Sequence, residues 1–448
     1  MCGRIDRLLN MLTYSKYNYI TRLPEGGMAL YNFRTGNCVR LNFLTKDLFD
    51  RALQMDPSNA EIQKLKKLGF LVDFDERKHM EILAHLSSGR TDQIGLCICP
   101  TFDCNFDCPY CFEDHRKGVM SAGTQDNLIR FTERLTKEAH PRLLSVTWFG
   151  GEPLMACEVI KSLSERMIRL CEENRMEYTA SIVTNGWFLT QETADMLQAC
   201  RICNIQITLD GPTAEIHDKT RHLRGGQGTF ERIMQNLSQI KTDIPLEIRC
   251  NIQKENADCI PQMKEKLHRM EETTGNQIAH HFGFVDGEIS THDRAFSHEA
   301  AFDEEGFARL FPQQKKPPRL RFRGSTCIAQ HMTGFGVDEL GNIYKCWETL
   351  GIEQAALGNV ADYSVTGEPD YRIEHLHEFL DTIWPSEDEE CMNCILLPYC
   401  LGGCPAKRVR GLKRRCSPYR YKLDAYVIDR CRYVYQKAVS HQERTDAE

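Results

Sequence analysis

No stretch of this 448-residue chain is apolar enough to span a bilayer, and its first residues, MCGRIDRLLNMLTYSK, lack the apolar core of a signal peptide. Membrane association and export are therefore not expected, and a cytoplasmic location is. An excess of positive charge is missing too. Fifty-six Lys and Arg against 63 Asp and Glu give a formal net charge of -7, which offers no support for bulk nucleic-acid binding. No side-chain acid or base stands out as catalytic, so difficult chemistry would fall to cofactors. Cysteine, by contrast, is abundant at 21 residues. In a reducing cytosol these read as metal ligands and free thiols before disulfides. The length allows more than one domain and a large core.

Residues 101–111, TFDCNFDCPYC, hold Cys104, Cys108 and Cys111 in the spacing C-x3-C-x2-C, with Tyr110 just before the last. Here the absence is a fourth cysteine. A structural zinc or a closed 4Fe-4S cluster takes four thiolates, so three leave one cluster iron open to a ligand. Half a zinc site, or inert buried thiols, is the plain alternative. The spacing resembles the signature of the radical S-adenosylmethionine (SAM) enzymes, in which the open iron binds the amino and carboxylate groups of SAM.

Before this loop, the first 90 residues read as a small module. Leu30, Phe33, Val39 and Leu41 alternate around Thr35-Gly36-Asn37, which predicts a hairpin. Thr45 is placed to cap a helix carrying Leu48, Phe49 and Leu53. Asn59 is placed to cap a second helix that ends at Gly69, before a short strand 70–72. The order resembles the winged-helix-like peptide-recognition domain fused to many maturases of ribosomally made peptides. That resemblance implies binding of a leader peptide as an added strand at a sheet edge. The bland reading is a cap that only packs on the enzyme.

From residue 94 strands and helices alternate: strands over 94–99, 143–149, 178–184, 203–209, 246–252 and 278–284, with helices such as 124–137, 158–171 and 230–240 between them. Repeated β-α units predict an α/β fold with a parallel sheet. It resembles the partial (β/α)6 TIM barrel of the radical SAM type, where functional loops follow the strand C-termini. Gly150-Gly151-Glu152-Pro153 follows the second strand and resembles that family's GGEP motif. A carboxylate suits the SAM ammonium and paired glycines admit a close backbone approach. Thr184-Asn185-Gly186 follows the third strand and Thr208-Leu209-Asp210-Gly211 ends the fourth. The resemblance implies SAM contacts at Asn185, Thr208 and Arg221, alongside Tyr110, Gly150, Gly151 and Glu152. Thr208 stands where the family has Ser, and Asn185 also suits a turn.

Past a linker expected at Lys316-Pro317-Pro318 comes a second array: Cys327, Cys346, Cys391, Cys394, Cys400, Cys404 and Cys416. A ferredoxin run or a zinc site on Cys391, Cys394, Cys400 and Cys404 competes, but the five-residue gap before Cys400 is too long for the ferredoxin. The array resembles the SPASM domain, which implies two auxiliary 4Fe-4S clusters. One would be closed by Cys391, Cys394, Cys400 and Cys416, and the other held by Cys327, Cys346 and Cys404. Cys431 competes for the last closed position, but it shares a helical stripe with Leu423, Val427, Val434 and Ala438 and so belongs to a core. The basic run Lys407 to Arg415 could offset cluster charge or be a solvated face.

The expected domains are 12–90 (leader-peptide recognition), 94–315 (radical SAM core), 324–420 (SPASM domain) and 421–440 (C-terminal helix). The resemblance implies three 4Fe-4S clusters and SAM as cofactors, with a small reducing protein such as flavodoxin or ferredoxin as electron donor. Seven thiolates for two auxiliary clusters leave one iron open, and a substrate cysteine thiolate is its natural soft ligand. This points to maturases of the sactipeptide and ranthipeptide kind, which join cysteine sulfur to an unactivated carbon of a precursor peptide carrying a leader. Carbon-carbon cross-linking and sulfatase-type cysteine oxidation are the alternatives among enzymes, and an iron-sulfur electron carrier is the alternative outside them.

Overall fold

The structure, a computed structural model, describes residues 11–113, 115–253, 255–285, 316–324, 327–362, 373–412 and 416–445. Most of the loop-rich stretch expected between 285 and 325, and residues 413–415 of the basic run, lie outside the described residues.

Six parallel strands form the centre: β6 (Gln93–Ile98), β7 (Leu143–Trp148), β8 (Glu177–Thr184), β9 (Ile202–Thr208), β10 (Leu246–Ile252) and β11 (Ile278–Phe284). All six agree with the sequence reading to within a residue at each end. Alternation explains the two faces. Ile94, Leu96 and Ile98 of β6 and Leu144, Val146 and Trp148 of β7 are buried in one core. Gly95, Cys97, Ser145 and Thr147 point the other way and line a cavity. Phe131 and Leu135 from the helix Ala122–Ala139 close over the apolar face. Each such side chain contributes roughly 1.5–3 kcal/mol by its burial. That helix starts at Ser121, whose side chain accepts from the Thr124 N–H, and stops at His140 in the left-handed region, φ 46°.

The sheet does not end with the six strands. β12 (Gly334–Val337) pairs in parallel with β6, and β13 (Asn342–Tyr344) and β14 (Gly358–Asn359) follow antiparallel, giving nine strands in the order β11-β10-β9-β8-β7-β6-β12-β13-β14. Chain beyond the expected boundary at 324 is thus built into the edge of the same sheet.

At the N-terminus, β2 (Asn18–Arg22), β3 (Met28–Asn32) and β4 (Asn37–Leu41) form an antiparallel sheet, and β1 (Thr13–Tyr14) pairs with β5 (Leu71–Val72). The expected hairpin is β3–β4. The first helix differs from the reading: it spans Phe43–Asp50 and its cap is Asn42, not Thr45. Thr45 sits three residues on and returns the bond, its Oγ1 accepting from the Asn42 N–H at 2.8 Å. Either polar side chain can cap, and the capping box uses both. Leu53 falls in a separate short turn and is 42% exposed. Asn59 caps the helix Ala60–Leu68 and Gly69 ends it at φ 84°, as expected. A further helix, Glu76–Ser88, follows.

One face of this small sheet packs Leu30 and Leu41 with Phe49 and Phe70; the other packs Tyr17, Tyr31 and Phe33 against Tyr426, Val427 and Cys431 of the C-terminal helix Leu423–Thr445. The helical stripe is shorter than expected, because Ala438 is exposed. The Lys316-Pro317-Pro318 stretch leads into a strap more than a loose linker. Arg319 donates to the carbonyls of Thr35 and Gly36, and the Tyr31 hydroxyl donates to the Leu320 carbonyl at 2.6 Å.

Candidate functional site

The cysteine loop follows β6, and its neighbours clamp it along both sides. The Gly151 and Glu152 N–H groups donate to the carbonyls of Thr101 and Asp103 at 3.1 and 2.9 Å. On the opposite side, Asp107 N–H donates to His222 O and Arg224 N–H to Asn105 O, while the Arg224 guanidinium bonds Asp103 at 2.7 Å. Gly150 has φ 120° and lies so near that a Cβ there would stand 2.7 Å from the Thr101 carbonyl. Cys104 and Cys108 are buried and Cys111 is half-buried, its Sγ 3.2 Å from His115 Nε2. Burial pushes the Cys104 thiol up to about 12, the Glu152 charge adding to it, and raises Cys108 and Cys111 as well.

Glu152 is fully buried and its carboxylate accepts from Leu154 N–H (2.9 Å), Thr184 Oγ1 (2.7 Å) and Asn185 N–H (2.7 Å). Burial raises its pKa against these donors. The carboxylate therefore joins the loops after β7 and β8. Asn185 uses its side chain twice: Oδ1 receives the Trp187 N–H, an Asx turn, and Nδ2 donates to Asn105 Oδ1 at 2.8 Å and lies 3.9 Å from Cys104 Sγ. The turn role and the place beside the cysteines coexist.

A second polar knot lies at the ends of β9 and β10. The Tyr110 hydroxyl donates to Asp210, and accepts from Arg221 Nη1 at 2.9 Å and Asn251 Nδ2 at 3.3 Å. Thr208 is the last residue of β9, 7% exposed, and pairs in register with Arg249. Asp210 and Tyr110 are both shifted up by burial, so the phenol keeps its proton. His217 frames the knot, its Nδ1 receiving the Asp210 N–H at 3.2 Å. Thus Cys104, Glu152 and Asn185 meet on one side of the loop and Tyr110 and Arg221 on the other, while Thr208 ends β9 two residues before Asp210. Asp210, Asn251 and Asn105 were not read from sequence as part of this knot. Asn251 had a signal: it is a polar residue near the end of a strand, on the face that carries Glu247 and Arg249.

The later cysteines form two further sets. Cys327, Cys346 and Cys404 line one cavity of 890 Å³, and the charges of Cys327 and Cys404 both act on Cys346. Cys391, Cys394, Cys400 and Cys416 ring another space; Cys391 is raised to about 12 by burial, the charges of Asp388, Cys400 and Cys416 adding to it. Arg408 of the basic run donates to the Thr382 carbonyl at 2.5 Å and feels the charges of Cys391 and Cys400, whereas Lys407 is buried. Cys431 lies instead in the core shared by the N-terminal sheet and the C-terminal helix, hydrogen-bonded to Cys38.

The donor chemistry fits iron-sulfur clusters. Buried thiols this reluctant to ionise stay inert until a metal replaces the proton. Among the described residues no three His, Cys, Asp or Glu side chains converge as a single metal ion requires; Cys327, Cys346 and Cys404 border a wide cavity, and Cys391, Cys394, Cys400 and Cys416 a narrow one. The site also fits a charged organic ligand, because among the described residues the buried Arg221 Nε and Asn105 Nδ2 have no hydrogen-bond partner. Three aromatic rings join two of the sets. Phe112, after Cys111, stacks on Phe149, before Gly150, and Phe149 stacks on Trp347, after Cys346, with centroids 6.1 and 5.7 Å apart.

Residues 98–267 match the Radical SAM superfamily. The serine-type anaerobic sulfatase-maturating enzyme of Bacteroides thetaiotaomicron is 26% identical over 388 residues, 76% of this chain and 90% of that protein. An uncharacterised protein of Archaeoglobus fulgidus is 26% identical over 72% of this chain and 77% of its own length. The structure of native anSMEcpe with bound AdoMet and Cp18Cys peptide superposes with a TM-score of 0.57 at 18% identity, covering 79% of this chain and 99% of that one. Streptococcus suis SuiB bound to S-adenosylmethionine superposes with a TM-score of 0.50 at 18% identity, covering 91% and 98%. At these identities the structural likeness is one of fold. Among the described residues no helix is long and apolar enough to cross a membrane.

Proposed function

We propose, from the premise that residues 98–267 are a radical SAM domain, that this chain is a peptide maturase joining a cysteine sulfur to an unactivated carbon of a ribosomally made precursor. One observation carries this reading. Cys327, Cys346 and Cys404 open onto the cavity whose wall is the polar face of β6 and β7, the strands that also carry the cysteine loop and the GGEP turn.

In this reading Cys104, Cys108 and Cys111 hold the SAM-binding cluster. Cys327, Cys346 and Cys404 hold an auxiliary cluster with an open iron, and Cys391, Cys394, Cys400 and Cys416 hold a closed one. When bound, these groups and SAM supply a 5'-deoxyadenosyl radical for hydrogen-atom abstraction, a soft site for sulfur and an acceptor for the electron released on bond formation. The chain's own work is placement. Gly150, Gly151 and Glu152 would hold the SAM ammonium, Glu152 being tied to the end of β8 through Thr184 and Asn185, and Arg221 would hold the SAM carboxylate. Thr208 and Asn185 border the ribose and the cysteines, and Tyr110 holds Arg221 against Asp210. The small antiparallel sheet β2–β4 is the place for a leader peptide, and a flavodoxin or ferredoxin is the electron donor. The active place is the cytoplasm.

Coexpression with any short cysteine-containing peptide found in a neighbouring reading frame tests the assignment. A mass loss of two hydrogens per link, with one thiol per link resistant to alkylation, is expected. The same loss with every thiol still alkylated assigns carbon-carbon linkage instead. Conversion of a peptide cysteine to formylglycine assigns the sulfatase-type reaction, the second reading; the likeness to the Bacteroides sulfatase-maturating enzyme supports that reaction class, although that enzyme is of the serine type. No 5'-deoxyadenosine from SAM under anaerobic reduction sinks all three.

A further inference from the structure

Cys38 and Cys431 lie near opposite ends of the chain, and the fold brings their sulfurs into contact. Alternation along β4 sends Val39 and Leu41 to the face that packs Phe49 and Phe70, and Cys38 to the opposite face, against Cys431 of the C-terminal helix. Both thiols are free, and the Cys38 S–H donates to the Cys431 sulfur. Neither belongs to a cysteine set assigned above to a cluster. The pair is asymmetric. The hydrogen bond from Cys38 holds Cys431 below its ordinary pKa against the effect of burial, with Arg40 and Arg432 adding to it, whereas Cys38 is shifted up. Burial raises Cys171 and Cys250, two other buried thiols. Sulfur attacks as the thiolate, so the pair has a nucleophile with a second thiol beside it. Cys431 also borders a cavity of 180 Å³ together with Glu25, Arg40, Arg432 and Tyr435. Arg432 pairs with Glu25 at 2.7 Å, and Arg40 donates to the Gly26 carbonyl at 3.0 Å, which fixes its walls. One water takes about 30 Å³ of liquid volume, so there is room for an oxidant as small as hydrogen peroxide.

We propose that Cys38 and Cys431 form an oxidative modification site, a dithiol latch that a hydroperoxide converts to a disulfide between β4 and the C-terminal helix. The Cys431 thiolate attacks a peroxide oxygen; the O–O bond breaks, an S–O bond forms, and hydroxide leaves the sulfenic acid behind. Cys38 then attacks the Cys431 sulfur; the S–S bond forms, the S–O bond breaks, and hydroxide departs as water with the Cys38 proton. In sum, two thiols lose two hydrogens and the peroxide becomes two waters. The link ties the first sheet to the last helix and blocks any local opening that parts them. Thiol exchange in a reducing cytosol returns the dithiol. The inference stands apart from the reaction proposed above.

The test uses the full chain, prepared without oxygen, titrated with hydrogen peroxide, then alkylated and digested. The expected result is a linked pair of peptides holding Cys38 and Cys431 in most chains, at a dose that leaves Cys171 and Cys250 alkylated. Hydrogen exchange of the β4 amides then slows by about tenfold or more. Iron is counted alongside, and a phosphine reductant restores both the two thiols and the exchange rate without restoring any iron lost, which separates the latch from damage to clusters. Cys38→Ala and Cys431→Ala give neither link nor slowing, and each serves as the control if the other folds poorly. Cys38 and Cys431 still alkylated, or oxidised singly to sulfinic acid, at a dose that oxidises Cys171 and Cys250 overturns the site. A link that leaves the exchange of β4 unchanged overturns the latch.

Discussion

Gly151 donates its N–H to the Thr101 carbonyl at 3.1 Å, and a Cβ on Gly151 would collide with the backbone oxygens of Phe102 and Asp103. The GGEP turn and the cysteine loop are thus two backbones in direct contact, and no side chain there can yield. Gly151→Ala is expected to cost about 3 kcal/mol or more by forcing the cysteine loop off its strand. On the cluster assignment proposed above, one cluster's worth of iron is lost on reconstitution and SAM cleavage stops, while the auxiliary sites load. Gly123→Ala is the control: its nearest contact is 3.8 Å away on a helix, and alanine there stabilises by roughly 0.5–1 kcal/mol. Equal iron content in the two variants would refute this account of the glycine.

Tyr110→Phe removes one oxygen from the buried knot. Asp210 loses a donor, and Arg221 and Asn251 lose an acceptor. Hydrogen bonds to charged groups contribute about 1.5–3 kcal/mol each. SAM affinity of the reconstituted protein, measured by calorimetry, is therefore expected to fall by roughly 30-fold, equivalent to about 2 kcal/mol. A fall in melting temperature with SAM affinity intact would confine the knot to a structural role.

Much of this arrangement was legible in the residues, and the exceptions have physical causes. Strands such as LEIRCNI announce themselves because apolar and polar positions alternate, and the motifs sit at their ends because the next loop begins there. Glu152 was legible as a site residue but not in its role. The residues that engage it, Leu154, Thr184 and Asn185, lie in two different loops, and only the fold brings them together. Asn42 and Thr45 are equally good caps on paper, and the choice depends on where the chain leaves β4. The strands β12 and β13 escaped notice because four and three residues carry too little pattern, and the pairing of β12 with β6 spans more than 200 positions of chain. Lys345 is invisible to sequence reasoning, since nothing in NIYKC says that the lysine turns inward.

Cys416 and Cys431 separate cleanly. Cys416 faces the same space as Cys391, Cys394 and Cys400, and Arg420 Nη1 lies 3.2 Å from its sulfur. Cys431 is 4% exposed in an apolar core beside Cys38. Cys416→Ala is expected to lose one cluster's worth of iron and sulfide. Cys431→Ala keeps all of it and costs roughly 1 kcal/mol through lost packing. Iron analysis with chemical denaturation of the two variants decides the matter, and an iron deficit in Cys431→Ala would reverse the assignment.

His217 makes the folded state acid-sensitive. It is fully buried, with Nδ1 accepting from Asp210 N–H and Nε2 3.1 Å from Thr229 Oγ1; burial, with Arg221 adding, holds its pKa well below 6.5. The unfolded chain binds a proton near pH 6.5 that the native chain refuses. The stability contributed by the neutral imidazole is therefore complete above about pH 6.5 and is lost as pH falls toward the depressed folded value. As pH falls below 6.5 one such group removes stability at up to about 1.36 kcal/mol per pH unit. His280 and His281 are shifted in the same direction by burial, and the buried Asp210 and Glu152 in the opposite sense for stability, so the wild-type slope alone is a sum. The comparison with His217→Gln isolates one term, because glutamine can accept from Asp210 and donate to Thr229 without titrating. Urea midpoints of the cluster-free protein from pH 8 to 5 should show a less stable variant at pH 8 with a flatter acid limb. Parallel limbs would place the acid sensitivity elsewhere.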